Sequence, residues 1–351
     1  MNYLARRAEI IAQTLIAKPF QAFRWTAALY YTIFSHAFWR EMQGVLAGRV
    51  RYLASVRSER SNRFLLVRNT HRLEKGLLMR PPRPVFALEY IRETVEALDA
   101  TWQTAEDQGE QQLNWALDVA IRYFERIDVA KAGLADVQEV VSRIAKDRDS
   151  LRDAPRPTRI PYQRQVNRED LPTAQQFHSL AKHRKSVRWY TSQPVPRAVI
   201  DQALETAALA PTACNRQPYR FHLLDDPALV QRVASIPMGT AGWRENIPML
   251  AVLVGHLDAY FSERDRHVVY IDASLAAQNF MLALETHGLS SCPINFPDIE
   301  RRERRMAKAL GLAPYERPIM CLSIGYPDPE GLVAYSEKRV TEDVRVYHEP
   351  S

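Results

Sequence analysis

Four prolines (Pro155, Pro157, Pro161 and Pro172) fall within residues 151–173, among many charged residues. Proline fixes its own φ and has no amide hydrogen, so this stretch reads as an extended linker rather than a helix. It divides the 351-residue chain into two segments with different hydrophobic periods. Residues 1–150 read as a helical N-terminal region, residues 151–173 as the Pro-rich linker, and residues 174–351 as a second domain.

Before the linker the pattern is helical. Residues 87–102 (ALEYIRETVEALDATW) and 113–130 (LNWALDVAIRYFERIDVA) repeat apolar residues at spacings of three and four. A third helix is expected over Leu134–Ala145. Upstream, Ile10–Trp39 is apolar and aromatic, interrupted by Lys18, Pro19 and Arg24. Its uncharged run, Trp25–Trp39, has 15 residues, short of the about 20 needed to cross a bilayer. Arg24 and Arg40 flank it and Trp25 and Trp39 end it, which suits a helix lying in a membrane interface. A helix packed on the rest of the protein is the alternative. Further on, His71, Arg72, Glu74 and Lys75 sit close together, either as an anion site or as a salt-bridged surface before Pro81-Pro82.

Charge separates along the chain as well. Residues 1–84 hold 15 Lys/Arg against 4 Asp/Glu, a net +11, and the remainder is −5. A basic arm ahead of a mildly acidic body points to an anionic partner: a membrane surface, nucleic acid or an acidic protein. No nucleic-acid reading motif or aromatic platform accompanies the charge, so nucleic acid ranks last. With 46% apolar and 25% charged residues, the composition is that of an ordinary globular protein. The three cysteines (Cys214, Cys292 and Cys321) are widely spaced and form no C-x-x-C pair, which argues against a disulfide framework or a zinc site. No metal site is expected, no secretory signal is convincing, and a cytoplasmic location fits best, with a peripheral place at the inner face of the membrane left open.

After the linker, helical and strand patterns alternate. Helices are expected over Phe177–His183, Arg197–Leu209 and Ile271–His287, and strands over Tyr219–Leu224, Met249–Gly255 and Pro318–Gly325. The last two are short continuous apolar runs of the buried kind. The result is an α+β domain, a mixed or mainly antiparallel sheet covered by helices.

Four clusters in this segment carry chemistry. His183 to Tyr190 places Arg184, Lys185, Ser186 and Arg188 within five positions, and charge-assisted donors of this kind suit a phosphate. Ala210 to Tyr219 is a proline-bounded loop offering Thr212, Asn215 and Gln217 to the edge of a heterocycle. Ile271 to Phe280 is a helix of small residues, followed by Gly288-Leu289-Ser290-Ser291-Cys292-Pro293. Gly325-Tyr326-Pro327 ends a strand, with Lys338-Arg339 further on.

In this order and spacing the clusters resemble the nitroreductase family, whose pattern runs R-x-S-x-R, A-P-[ST]-x-x-N-x-Q-P, D-x-[GAS]-x-A-x-Q-N, G-L-x-S-C and G-Y-P. The resemblance covers about Phe177 to Tyr347. It implies a nitroreductase-like α+β sandwich, with an α-helical N-terminal extension outside the pattern, and an obligate homodimer with flavin mononucleotide (FMN) at the subunit interface. It assigns Arg184, Ser186, Lys338 and Arg339 to the FMN phosphate and Arg188 to the flavin N1–C2 carbonyl edge. Pro211, Thr212, Ala213 and Asn215 would reach the flavin from the other subunit, with Gln217 supporting their loop. A backbone amide after G-L-x-S-C faces flavin N5 in the family. Pro293 has no amide hydrogen here, so Ile294 or Asn295 must supply it. Cys214 and Cys292 read as packing residues rather than catalytic thiols.

The expected activity is NADH- or NADPH-driven two-electron, ping-pong reduction of a small organic acceptor, with nitroaromatics or quinones as surrogates and no catalytic side chain required. The alternatives are a flavin-dependent dehydrogenase or dehalogenase in a biosynthetic pathway, and a non-catalytic, membrane-associated scaffold.

Overall fold

The computed structural model describes residues 14–57, 62–105, 111–150, 158–164 and 167–348. The N-terminal region contains α1 (Arg24–Ile33), α2 (Trp39–Arg57), α3 (Arg63–Leu77), α4 (Ile91–Thr104), α5 (Gln111–Arg126) and α6 (Ala135–Ser150). The three helices expected over 87–150 are therefore present. The aromatic run is not one helix, because α1 ends at Ile33 and a non-helical stretch precedes α2.

Helices α3 to α6 share a core built from Leu73, Ile91, Val95, Leu98, Leu117, Tyr123 and Ile144. Asn62 starts α3 by accepting the Leu65 N–H on its side chain, as an N-cap should. Aromatic N–H groups find carboxylates at the edge of this core: Trp102 donates to Asp147 at 2.6 Å and Trp115 to Glu74 at 3.0 Å. Glu74 also lies 3.4 Å from His71, and the Arg72 guanidinium sits 3.6 Å from the centre of the Tyr90 ring. The 71–75 patch is thus internally paired and stacked.

Helix α2 belongs to a different neighbourhood. Gly44 and Gly48 are buried against the 257–258 backbone and Pro314, and a Cβ at Gly48 would lie 2.6 Å from the Leu257 carbonyl carbon. Only glycine permits that approach without lifting the helix. Ion pairs flank the contact, Arg40 with Glu303 at 3.2 Å and Arg51 with Asp258 at 3.5 Å. Of the linker, residues 158–164 and 167–173 contain only a short 3-10 turn, Arg168–Asp170, while Pro155 and Pro157 lie outside the described residues. The Arg159 N–H donates to Asp118 at 2.9 Å, which holds the linker on α5.

The second segment contains α7 (Ala174–His183), α8 (Arg197–Ala208), β1 (Tyr219–Leu224), α9 (Pro227–Ala234), β2 (Met249–His256), α10 (Val268–Thr286), β3 (Ser290–Asn295), α11 (Glu300–Leu310) and β4 (Glu316–Gly325). The four strands form one sheet in the order β1-β2-β4-β3, antiparallel throughout. Every residue of β2 is buried, which explains its unbroken apolar run. Leu250, Val252 and Val254 meet residues of α9, α11 and β3 on one face, while Met249 and Ala251 meet α8 and α10 on the other. This is an α+β sandwich, as its sequence patterns imply. Strand β3 and helices α9 and α11 are additions to the elements read from sequence.

Candidate functional site

Helix α7 opens with a reciprocal cap between Thr173 and Gln176 and stops at Arg184. From there the chain runs extended along the open edge of β3. Val187 donates its N–H to the Ser291 carbonyl at 3.1 Å, and Thr191 to Tyr326 at 2.9 Å. Val187 and Tyr190 turn into the core, and the Tyr190 hydroxyl donates to the Val187 carbonyl at 2.7 Å.

Arg184, Ser186 and Arg188 line a cavity of about 500 Å³ together with Lys182, Lys185 and, from the C-terminal segment, Lys338. His178, Tyr335 and Ser336 complete its wall. The donor set therefore combines two guanidiniums, three ammoniums and hydroxyls, with no carboxylate in the lining. Lys182 and His178 escaped the sequence reading, although their spacing of four on α7 sets both on one helix face. Arg339 does not line the cavity; its guanidinium bonds to the Asp343 carbonyl.

Several neighbours hold this edge in place. Asn246 donates to the Arg188 carbonyl at 2.8 Å and accepts from the Tyr190 N–H at 3.2 Å. The Arg188 guanidinium lies 5.9 Å from the centre of the Trp243 ring. Glu285 is buried beneath His183, 3.6 Å from its Nε2. Burial pushes the Glu285 carboxyl above the usual range, while His183, the Ser290 hydroxyl and Arg184 pull it back. Burial likewise pushes the Cys292 thiol up, against the opposing pull of Arg188, Ser186 and Arg184.

The 211–217 loop is a separate cluster. Cys214, Asn215 and Gln217 all have positive φ, between 48° and 55°, which non-glycine residues seldom adopt. Such conformations persist where surrounding contacts over-determine them, and they concentrate at functional sites. Here the contacts are Ala213 N–H to Asp272 at 3.0 Å, Gln217 N–H to the Thr212 hydroxyl at 3.2 Å, and the Gln217 amide to the Asn215 side chain at 3.2 Å. Arg216 spans the loop by donating to the Ala213 carbonyl at 3.0 Å. Helix α3 of the N-terminal region packs against this loop. Within one chain, neither Pro211, Thr212, Ala213, Asn215 nor Gln217 lines the cation-rich cavity.

At β3, alternation decides which amide is available. Strand β3 is the sheet edge, and its Ser291 carbonyl faces away from β4 to accept from Val187. Backbone groups along a strand alternate between its two edges. Pro293 and Asn295 therefore share the open side with Ser291, whereas Cys292 and Ile294 turn toward β4. Proline is tolerated at such an outward position because no ladder bond needs its missing hydrogen. Between Ile294 and Asn295, the amide on the open side is that of Asn295. Among the described residues, no group of three or more His, Cys, Asp or Glu could hold a metal ion.

Comparison with known proteins bears on the same segment. The nitroreductase family model matches residues 181–326. Iodotyrosine deiodinase 1 of Homo sapiens is 24% identical, the match covering 51% of this chain and 71% of that protein. An NADH dehydrogenase of Thermus thermophilus is 29% identical, covering 43% of this chain and 86% of that protein. Among solved structures, an FMN-dependent nitroreductase from Clostridium difficile R20291 is 23% identical with a TM-score of 0.42, covering 48% of this chain and 98% of its own.

Proposed function

We propose, from the match of residues 181–326 to the nitroreductase family model, that the chain is an FMN-dependent oxidoreductase driven by NADH or NADPH. The observation that carries this reading is the cation-lined cavity. About 500 Å³ lies within the range of about 300–1,000 Å³ typical of small-molecule sites. Its donor set matches a phosphate dianion, which several charge-assisted hydrogen bonds must neutralise.

In this reading Arg184, Ser186 and Lys338 hold the phosphate, and Lys182 and Lys185 add positive field. Arg188 lies at the N1–C2 carbonyl edge, positioned by Asn246 and Trp243. The Asn295 amide is the donor for the flavin N5 region. When bound, FMN supplies a centre that takes a hydride from the nicotinamide and passes two electrons to a small organic acceptor. The protein's share is to bind the cofactor, orient it and set the local charge.

The reading also includes a homodimer. The 211–217 loop lies outside the cavity of its own chain, so it is available to a second subunit's flavin. Ile271 and Leu275 on the small-residue helix α10 are exposed, as are Leu332, Val344 and Tyr347 of the C-terminal segment. These apolar side chains supply contact area for a second copy.

The likeness to iodotyrosine deiodinase 1 favours one second reading, reductive dehalogenation of a halogenated aromatic at the same site. For the N-terminal arm we propose peripheral contact with an anionic membrane surface. Helix α1 has no buried residue and exposes Trp25, Leu29 and Ile33. No helix among the described residues is long and apolar enough to cross a membrane.

The test is an absorbance spectrum of the purified protein before and after anaerobic NADH or NADPH. A flavin band bleached by either nucleotide supports the oxidoreductase reading. A flavin that neither bleaches points to another donor. Failure to bind added FMN overturns the reading and leaves the scaffold alternative. If the flavin bleaches, re-oxidation by a nitroaromatic or quinone, set against halide release from a haloaromatic, separates the two activities.

A further inference from the structure

A second cleft, of about 520 Å³, lies where the N-terminal helices meet the sheet domain. It is apart from the cavity carrying Arg184 and shares no lining residue with it. From α2 and α3 come Arg51, Phe64 and Val67; from the sheet domain come Arg216, Tyr219, Arg220, His256 and Tyr315, with Asp258 and Glu316.

The charge in this cleft is not internally balanced. Asp258 is claimed by Arg51 at 3.5 Å and by His256 Nδ1 at 3.6 Å, and Glu316 lies 3.8 Å from the same Nδ1. Glu316 also accepts the Ala313 N–H at 2.8 Å. Asp258 Oδ1 is buried without a hydrogen-bond partner, so the excess of donors rests on the arginines rather than on full use of the acids. Arg216 and His256 are buried, 6% and 7% exposed, yet the Arg216 Nε and His256 Nε2 have no hydrogen-bond partner. A buried polar atom without a partner costs about 1–3 kcal/mol, so native proteins rarely keep such atoms without a reason. Arg220, exposed at the mouth, makes no ion pair or hydrogen bond among the described residues. Two guanidiniums with donor capacity unspent thus line one cleft with the unpartnered His256 Nε2, beside the apolar faces of Phe64, Val67, Tyr219 and Tyr315.

We infer that this junction cleft binds a small organic anion, a carboxylate or phosphate on an aromatic body, through Arg216, Arg220 and His256. The anionic head answers the unspent donors and the aromatic body answers the ring-lined wall. The cleft adjoins the flavin reading, because Gln217 of the 211–217 loop also lines it, but Arg220 at its mouth has no part in FMN binding and so tests the inference separately.

The experiment is titration calorimetry of the full chain in excess FMN with three probes: benzoate, phenyl phosphate and inorganic phosphate. Saturable binding of benzoate or phenyl phosphate, tighter than that of inorganic phosphate, is expected, and the better of the two identifies the head group. Arg220→Gln, an exposed change that leaves the core intact, should weaken the bound probe by about tenfold or more. Binding must also persist at saturating FMN. The inference fails if neither aromatic probe binds below on the order of 10 mM, if excess FMN displaces the probe, or if Arg220→Gln leaves the affinity unchanged. Equal binding of inorganic and phenyl phosphate removes the aromatic body from it. A chain that does not bind FMN at all overturns the flavin reading, while the Arg220→Gln comparison still decides this one.

Discussion

The Asp272 carboxylate accepts the backbone N–H of Ala213 at 3.0 Å, tying helix α10 to the loop with three left-handed residues. Burial raises the Asp272 carboxyl above its usual range, and the Ala213 N–H and then Arg216 act in the opposite sense. A carboxyl raised in the folded state favours folding fully below its unfolded pKa and loses that contribution as pH rises through the folded value. Asp272→Asn keeps an acceptor oxygen and removes the titration. Its stability relative to wild type should therefore improve as pH climbs through and above the ordinary carboxylate range. Asp272→Ala leaves the Ala213 N–H without its partner and should cost about 1–3 kcal/mol. Denaturant unfolding from pH 4 to 8 checks both. A wild-type minus Asp272→Asn difference that stays flat with pH would contradict the assigned burial effect.

How far the sequence foretold this arrangement depends on which interaction fixes each element. Strand β1 falls on the expected Tyr219–Leu224, and β2, whose full burial writes an apolar run directly into sequence, exceeds its expected run by one residue. Strand β3 left no such signature. Its residues are small or polar, and Pro293 looks like a strand breaker until the edge position shows that its missing hydrogen is not needed. The break between α1 and α2 was hidden in a uniformly aromatic run.

At the site, the R-x-S-x-R spacing was legible because Arg184, Ser186 and Arg188 lie within five positions and all line one cavity, which Lys185 joins. Of Lys338-Arg339 only Lys338 lines the cavity, because Arg339 turns to the Asp343 carbonyl. Lys182 was missed because it arrives from the helix before the motif. The packing of α3 on the 211–217 loop had no sequence signal, since it joins residues far apart in the chain.

Arg184 stands at the end of α7, where it lines the cavity with Ser186 and Lys338. Arg184→Ala removes a charge-assisted contact of about 1.5–3 kcal/mol. FMN binding should weaken by roughly tenfold to a hundredfold, read by fluorescence as flavin is released. Arg339→Ala, which changes a residue bonded to Asp343, should alter FMN affinity far less. An unchanged affinity in Arg184→Ala would remove it from the phosphate site.

Glu303 and Arg317 are both 1% exposed at the side chain, 2.5 Å apart, and Arg40 approaches the same carboxylate at 3.2 Å. Removing one partner of a buried pair strands the other charge, at a cost of about 3–5 kcal/mol. Glu303→Ala should therefore destabilise strongly in urea unfolding. Replacing the pair together, Glu303→Leu with Arg317→Met, should recover part of the loss, because Arg317 is no longer stranded while Arg40, 13% exposed, still loses its carboxylate.

The three cysteines differ in access. Cys321 is fully buried and its thiol is pushed up to about 12 by desolvation, and Cys292 is 2% exposed with a raised thiol. Cys214 is half-buried on the surface loop. Thiolate is the reactive form, so a maleimide at neutral pH should label Cys214 alone in the native protein and all three in denaturant. Native labelling of Cys292, located by peptide mass mapping, would show that the edge of β3 opens.

The membrane proposal needs a deletion that respects the packing of α2. Removing residues 1–48 would take away Arg40, Gly44 and Gly48, which dock this helix on Glu303 and the 257–258 backbone. A loss of binding in that variant could follow from damage to the fold. Removing residues 1–37 strips α1 with Trp25 and Leu29 while leaving that contact whole. Its thermal unfolding and flavin content should match the full chain. Its co-sedimentation with vesicles containing anionic lipid should fall sharply, and the residual binding of the full chain should decrease with added salt, since lipid attraction for Lys and Arg is screened within a Debye length. Equal sedimentation of the two forms would remove the arm from any role at the bilayer and leave its exposed aromatic residues to another partner.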